Sequence, residues 1–271
     1  MKPVTVVVHG AMGKMGKTVI NAICQEPLTR LVGAVDMKIS GDRLQLPDGS
    51  GDVPLSTDLN SILASQKPDV LVDFSVAKAA MPAIRTAAKR KVNLVIGTTG
   101  FTATDVEEIK KLVETNGIGA VMASNFALGA VVMIHLARVA ARYFDYAEII
   151  EFHHNMKMDA PSGTALSTAK SMAQAKGKPF NRPPVEKAEA SAEALKSRGE
   201  QTEGISIHSV RLPGLLAHQE VILGAAGQTL TIRHDTIDRD CFMPGVILAV
   251  KAVVKRRGLT IGLAPILGLE G

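Results

Sequence analysis

The stretch richest in reactive side chains is Glu151-Phe-His153-His154-Asn-Met-Lys157-Met-Asp159-Ala-Pro-Ser162-Gly163-Thr164-Ala. Two imidazoles, an amine and a carboxylate fall within seven residues, directly after a run that reads as a strand. Ser162 is placed to cap a helix whose first N–H groups belong to Gly163, Thr164 and Ala165, and such a helix start suits a carboxylate. Imidazoles, a cation and an anion-binding helix start in one place suit an acidic small molecule undergoing proton transfer. The paired histidines do not read as a metal site. Neighbours on a strand point to opposite faces, and no cysteine cluster or HExxH spacing accompanies them.

A second constellation lies near the N-terminus, in Gly10-Ala11-Met12-Gly13-Lys14-Met15-Gly16, with two residues in each gap between glycines. Glycines there let the backbone turn tightly and approach a pyrophosphate, whose charge is met by the N–H groups and positive dipole end of a helix beginning near Met15. Asp36 stands twenty residues past Gly16 at the end of the next apolar run, where a carboxylate bonds ribose hydroxyls. Asp36 repels a 2′-phosphate, while Lys38 and Lys17 either lie close enough in sequence to offset that repulsion or are ordinary solvated lysines. We therefore expect use of NADH and NADPH, with some preference for NADH. Gly97-Thr98-Thr99-Gly100 follows another apolar strand and is a candidate border for the nicotinamide, or a simple turn.

These residues need elements to hold them. Val4–Val8 is continuously apolar and β-branched, as in a parallel strand buried on both faces. A helical pattern follows as far as Pro27, and Leu31–Val35 reads as the next strand, so the glycine loop opens a βαβ unit. Strands at 70–74, 92–96 and 118–122 alternate with helices at 78–91 and 104–114, which implies a Rossmann-like, doubly wound parallel sheet. From Asn125 the texture changes. A helix at 129–141 leads into strands at 147–152, 205–210, 220–223 and 229–232, with one strong helix at 162–175. We read a second, α+β domain on a mixed or antiparallel sheet, spanning 125–234, and a dinucleotide-binding domain made of 1–124 and 235–271. The segment Pro179–Gly204 reads as an exposed loop containing a polar helix, and 244–257 as a final apolar helix returning to the first domain.

Composition narrows the function classes. The 271 residues contain no Trp, two Tyr and seven Phe, too few aromatics for a base-stacking surface. A net charge of +5 favours anionic ligands, and it is spread over both domains without the one-sided bias of a nucleic-acid binder. Cys24 and Cys241 supply neither a disulfide framework nor a cysteine-rich metal site, and the apolar run after Met1-Lys2-Pro3 is too short for a signal-peptide core. With no apolar stretch approaching a membrane span, we expect a soluble, cytoplasmic protein.

The string HHNMKMDAPSGTA, with GAMGKMG, DFS at Asp73–Ser75, IGTTG at Ile96–Gly100 and NFALG at Asn125–Gly129, closely resembles the 4-hydroxy-tetrahydrodipicolinate (dihydrodipicolinate) reductase family, in order over nearly the whole chain. The resemblance implies reduction of that substrate with NADH or NADPH on the diaminopimelate route to lysine, in a homotetramer built through the sheets of the second domain. It implies that His153 is the acid/base, that Lys157 assists protonation, and that His154, Gly163 and Thr164 hold a dicarboxylate substrate. On the cofactor side it implies Gly10 through Gly16, Asp36 and Lys38, the loop Gly97, Thr98 and Thr99, and Ser124, Asn125 and Phe126. Arg239, in HDTIDRDCF, matches an arginine at the family's closing interface. The stretch Arg211–His218 departs from the family's more polar turn, and no role is carried onto it. The rivals are another short dehydrogenase acting on aspartate semialdehyde or homoserine, and a nucleotide-sensing regulator. The acylating dehydrogenases need a cysteine in a catalytic loop, where neither Cys24 nor Cys241 falls, and a regulator would usually add a DNA-binding element.

Overall fold

The computed structural model describes residues 2–181 and 197–269. In chain order its main elements begin with β1 (Val4–His9), α1 (Lys14–Gln25), β2 (Thr29–Val35), β3 (Arg43–Gln45), β4 (Asp52–Ser56) and α2 (Leu59–Gln66). They continue with β5 (Val70–Asp73), α3 (Ala77–Lys89), β6 (Asn93–Ile96), α4 (Ala103–Asn116) and β7 (Gly119–Met122). Next come α5 (Leu128–Ala141), β8 (Tyr146–His153), α6 (Gly163–Lys176), β9 (Glu200–Thr202), β10 (Ile205–Arg211), β11 (Ala217–Ala225) and β12 (Gln228–Thr236). After a short 3-10 turn at Arg239–Phe242 the chain ends with α7 (Met243–Val253), β13 (Gly258–Ile261) and a last turn of helix at Ala264–Leu267. Two compact units result, Met1–Leu128 with Arg239–Gly271, and Gly129–Asp238.

In the first unit the sheet order is β13-β7-β6-β5-β1-β2-β4-β3, and every neighbouring pair is parallel except β3 with β4. Val6, Val7 and Val8 are fully buried, as a strand covered on both faces requires. From β1 the chain builds outward to β2 and β4, then returns to lay β5 against the other edge of β1. The order reverses there, so the loops leaving the C-terminal ends of β1 and β5 border the crevice where doubly wound sheets bind ligands. The sequence reading passes over β3, β4 and α2. β3 is three half-exposed to exposed residues, and β4 carries Pro54, which weakens a strand signal. It also runs one helix through 244–257, whereas α7 stops at Val253. Lys255, Arg256 and Arg257 then lie in a turn that Gly258, at φ +83°, completes into the edge strand β13.

In the second unit the order is β12-β11-β8-β10-β9, with β8 and β10 parallel and the other pairs antiparallel, a mixed sheet. Helices α5 and α6 cover one face, where Ala137, Ala141, Ala169 and Met172 pack on Ile149, Ile207, Val221 and Leu223. Alternation along β8 puts Glu151 and His153 on this covered face and Glu148, Ile150 and Phe152 on the other. The polar helix expected within Pro179–Gly204 falls largely on 182–196, outside the described residues.

Candidate active site

The glycine loop between β1 and α1 has the geometry of a pyrophosphate cradle. Gly10 sits at φ +78°, and its N–H, like that of Ala11, is held by Val35 O at 2.9 and 3.1 Å. A Cβ on Gly16 would lie 2.1 Å from Gly10 O, and one on Gly10 would lie 2.5 Å from Phe74 O, so neither position admits a side chain without moving backbone. Gly13 is the N-cap of α1 and offers no side-chain acceptor, which leaves the first N–H groups of the helix to an external anion. Ala11 is buried, Lys14 is exposed, and Met12 and Met15 are half-buried.

Asp36 follows β2, and its carboxylate is committed in part to this loop. Oδ2 accepts from Met12 N–H and Oδ1 from Lys38 N–H, both at 2.9 Å. Each oxygen keeps a further lone pair for a hydroxyl donor, so the anchored carboxylate remains suited to a ribose diol. The donor set and the cradle together fit a dinucleotide.

The Gly97–Thr99 loop after β6 joins the same edge of the sheet. Thr98 Oγ1 accepts from Ser75 N–H at 2.8 Å, and Ser75 Oγ donates to Asp73 Oδ1 at 2.8 Å. His9 Nδ1 lies 2.6 Å from the same oxygen, and Asp73 is fully buried. A Cβ on Gly97 would strike the Phe74 ring at 2.1 Å, and that ring packs on Phe126 at 5.6 Å between centroids. Phe126 is therefore core, with 2% exposure, beside a half-buried Asn125 whose Oδ1 accepts from Ala127 N–H at 2.8 Å, and an exposed Ser124. Sequence reasoning missed His9, Asp73 and Ser75 as the brace of this loop. Arg239 opens the 3-10 turn of the same unit and is half-buried.

In the second unit Glu151 is the hub, a role the sequence reading did not assign. It is fully buried, and its Oε2 lies 2.5 Å from His153 Nδ1. Arg211 grips the same carboxylate through Nη1 at 2.9 Å and Nη2 at 2.8 Å, and Ser162 N–H donates to Oε1 at 3.2 Å. The register of β10 on β8 sets Arg211 directly opposite His153. Burial alone would push the Glu151 carboxyl up, but hydrogen bonds from His153, Arg211 and Ser209 more than offset it and bring it down to about 2. A carboxylate only accepts, so the His153 proton sits on Nδ1 and Nε2 is left for chemistry.

Arg211 also holds the following loop, donating from Nε to Lys157 O at 3.3 Å and from Nη2 to Asp159 O at 2.6 Å. Lys157 Nζ donates to both Asp159 carboxylate oxygens at 2.8 Å. This contact holds Asp159 below its usual range, and it occupies an amine that the resemblance assigns to protonation. Ser162 caps α6 as expected, its Oγ accepting from Ala165 N–H at 3.2 Å. Gly163 is exposed, and Thr164 and His154 are half-buried. Thr168 Oγ1 accepts from buried Gln219 at 3.0 Å and donates to Thr164 O at 2.8 Å, which fixes the first turn of α6 on β11. The structure thus gathers His153, Lys157 and the α6 start around one ion pair. Among the described residues no three His, Cys, Asp or Glu side chains gather as metal ligands.

Two family models cover the chain, the dihydrodipicolinate reductase N-terminus at residues 4–126 and C-terminus at 129–267. A 4-hydroxy-tetrahydrodipicolinate reductase of Dehalococcoides mccartyi is 57% identical over 99% of this chain and 100% of its own. That of Moorella thermoacetica is 46% identical over 97% and 98%. Among solved structures, a dipicolinate-bound dihydrodipicolinate reductase from Paenisporosarcina sp. TG-14 superposes with a TM-score of 0.84 at 37% identity, covering 97% of this chain and 99% of that one. An amine dehydrogenase from Mycobacterium smegmatis shares the fold, with a TM-score of 0.65 at 17% identity. With both halves of the chain matched in order, it belongs to the 4-hydroxy-tetrahydrodipicolinate reductase family, NAD(P)H-dependent oxidoreductases of the diaminopimelate route to lysine.

Proposed function

We propose that this chain reduces 4-hydroxy-tetrahydrodipicolinate to tetrahydrodipicolinate with NADH or NADPH, with His153 as the acid/base. The observation that carries the assignment is the short contact from His153 Nδ1 to buried Glu151, which leaves Nε2 for the substrate. The nicotinamide, when bound, supplies a hydride to C4 of the substrate ring. For C4 to accept it, the C4 hydroxyl leaves as water with a proton from the neighbouring ring carbon, which conjugates C4 with the ring C=N. Hydride addition there pushes an electron pair toward the ring nitrogen, and a proton neutralises that charge. His153 Nε2 delivers that proton. Lys157 supplies positive charge beside it, exchanging its contact with Asp159 for one with the substrate.

The substrate is a dicarboxylate, and the N–H groups of Gly163 and Thr164 at the start of α6 suit one carboxylate. His154 holds it from the other side of the loop. Gly10 through Gly16 seat the pyrophosphate and Asp36 the adenosine ribose. Gly97 to Thr99 and Ser124 to Phe126 shape the nicotinamide end, with Lys38 and Arg239 as further contacts. No helix among the described residues is long and apolar enough to cross a membrane. We assign oligomerisation to the open face of the second sheet, where Ile150, Phe152 and Ile222 lie among the ion pairs Arg233–Glu220 and His208–Glu148, both at 2.9 Å. A homotetramer predicts a light-scattering mass four times that of the chain.

The activity test is oxidation of NADH, followed by absorbance, with freshly generated condensation product of pyruvate and aspartate semialdehyde. Turnover that depends on that product supports the reading. No oxidation by folded protein rejects it.

A further inference from the structure

We propose that Glu151 and Arg211 act together as positioning residues for the reduction, fixing the tautomer of His153, the path of the Lys157 loop and the start of α6 in one arrangement. The inference rests on the reaction proposed above and goes beyond it. It assigns work to two residues, one of them in a stretch that departs from the family's pattern.

Three things that must be correct together meet at one buried carboxylate. Its Oε2 takes the Nδ1 proton of His153, its Oε1 takes the N–H of Ser162, and both oxygens are held by the Arg211 fork. The same guanidinium reaches past the carboxylate to the carbonyl oxygens of Lys157 and Asp159, on either side of the loop's apex. Arg211 is thereby the one described side chain bonded both to the partner of the acid/base and to the backbone that carries the amine. A buried ion pair is a weak source of stability, because desolvation offsets its attraction. A fully desolvated Glu that spends its hydrogen bonds on an imidazole, a helix N-cap and one fork is instead suited to holding geometry. Lysine cannot replace the arginine, since a point charge lacks the planar fork needed to serve carboxylate and carbonyls at once.

A merely structural pair and a positioning pair predict different kinetics. Glu151 is hydrogen-bonded to His153, and Arg211 to the same carboxylate. With Glu151→Gln, the charged acceptor of the Nδ1 proton is replaced by an amide of the same size. We expect kcat to fall roughly tenfold to a hundredfold, as when outer partners of ordered imidazoles are removed. KM for NADH should change less than about threefold. Arg211→Lys should lower kcat by a similar factor, because the lysine cannot span carboxylate and loop carbonyls. In the wild type, 15N spectra of neutral histidines should place the His153 proton on Nδ1, a readout that needs no variant to fold.

Wild-type kcat in both variants, or an Nε2–H tautomer in the wild type, would overturn the proposal while leaving the reaction intact. A wild type inactive on the condensation product would instead remove the reaction on which the proposal rests. Equal losses in kcat and NADH affinity in either variant would mark the pair as structural.

Discussion

The two units build their candidate sites from different materials. In the first, the loop Gly10–Gly16 presents backbone, and its specificity of shape comes from what it lacks: a Cβ at Gly16 would sit 2.1 Å from Gly10 O. In the second, the working groups are side chains, and their arrangement comes from a single buried carboxylate shared by His153, Arg211 and Ser162. A backbone cradle is fixed by steric exclusion, so it tolerates changes of charge nearby and fails with added bulk. A side-chain site held by an ion pair has the opposite sensitivity. The difference suits the proposed roles, since a pyrophosphate needs many N–H donors and no chemistry, whereas the proposed reduction needs a proton from one aimed nitrogen.

Variants can break this contrast. The largest effect is expected from His153→Ala, which should lower kcat by about 10² to 10⁴, the range for a positioned acid or base, with NADH affinity kept. Turnover close to wild type in a folded variant would take the acid role away from His153. Gly16→Val probes the cradle: overpacking of about 1–3 kcal/mol corresponds to NADH binding weakened by about fivefold to 150-fold. The KM for the condensation product should be unchanged; if it rises equally, the two sites are not independent.

Smaller effects concern charge. Asp36 should give NADH the advantage in kcat/KM, and Asp36→Ala should shrink that advantage by about tenfold, the worth of a hydrogen bond to a charged group. A wild type at least tenfold more efficient with NADPH would contradict the role of Asp36. Glu151 also links stability to pH. Its carboxyl is brought from 4.5 down to about 2 in the fold, so its stabilisation is fully present above 4.5 and is lost as pH falls toward 2. Melting temperature over that window should drop more steeply in wild type than in Glu151→Gln, and parallel curves would argue against the shift.

Much of this was legible from the sequence because it is local. Val4–Val8, the glycine spacing and the cap at Ser162 each declare themselves within a few residues. The family resemblance rests on such short strings. What was not legible depends on register. Arg211 is remote in sequence from Glu151 and meets it only because β10 pairs in parallel with β8, and no local signal marks it. Glu151 did leave a signal. It stands two residues before His153 on a strand, so the period of two puts both on one face. His9 and Asp73 are likewise brought together by the β1–β5 register. The β3–β4 hairpin and β13 were missed because short edge strands bury too little apolar surface to impose a pattern.

The most direct measurement is the fate of a labelled hydride. With NADH deuterated at nicotinamide C4, on the face the enzyme uses, and condensation product as substrate, mass spectrometry should find tetrahydrodipicolinate with one deuterium in place of hydrogen, carried on ring C4. Product without that label, or no product while the labelled cofactor is still oxidised, would contradict the account.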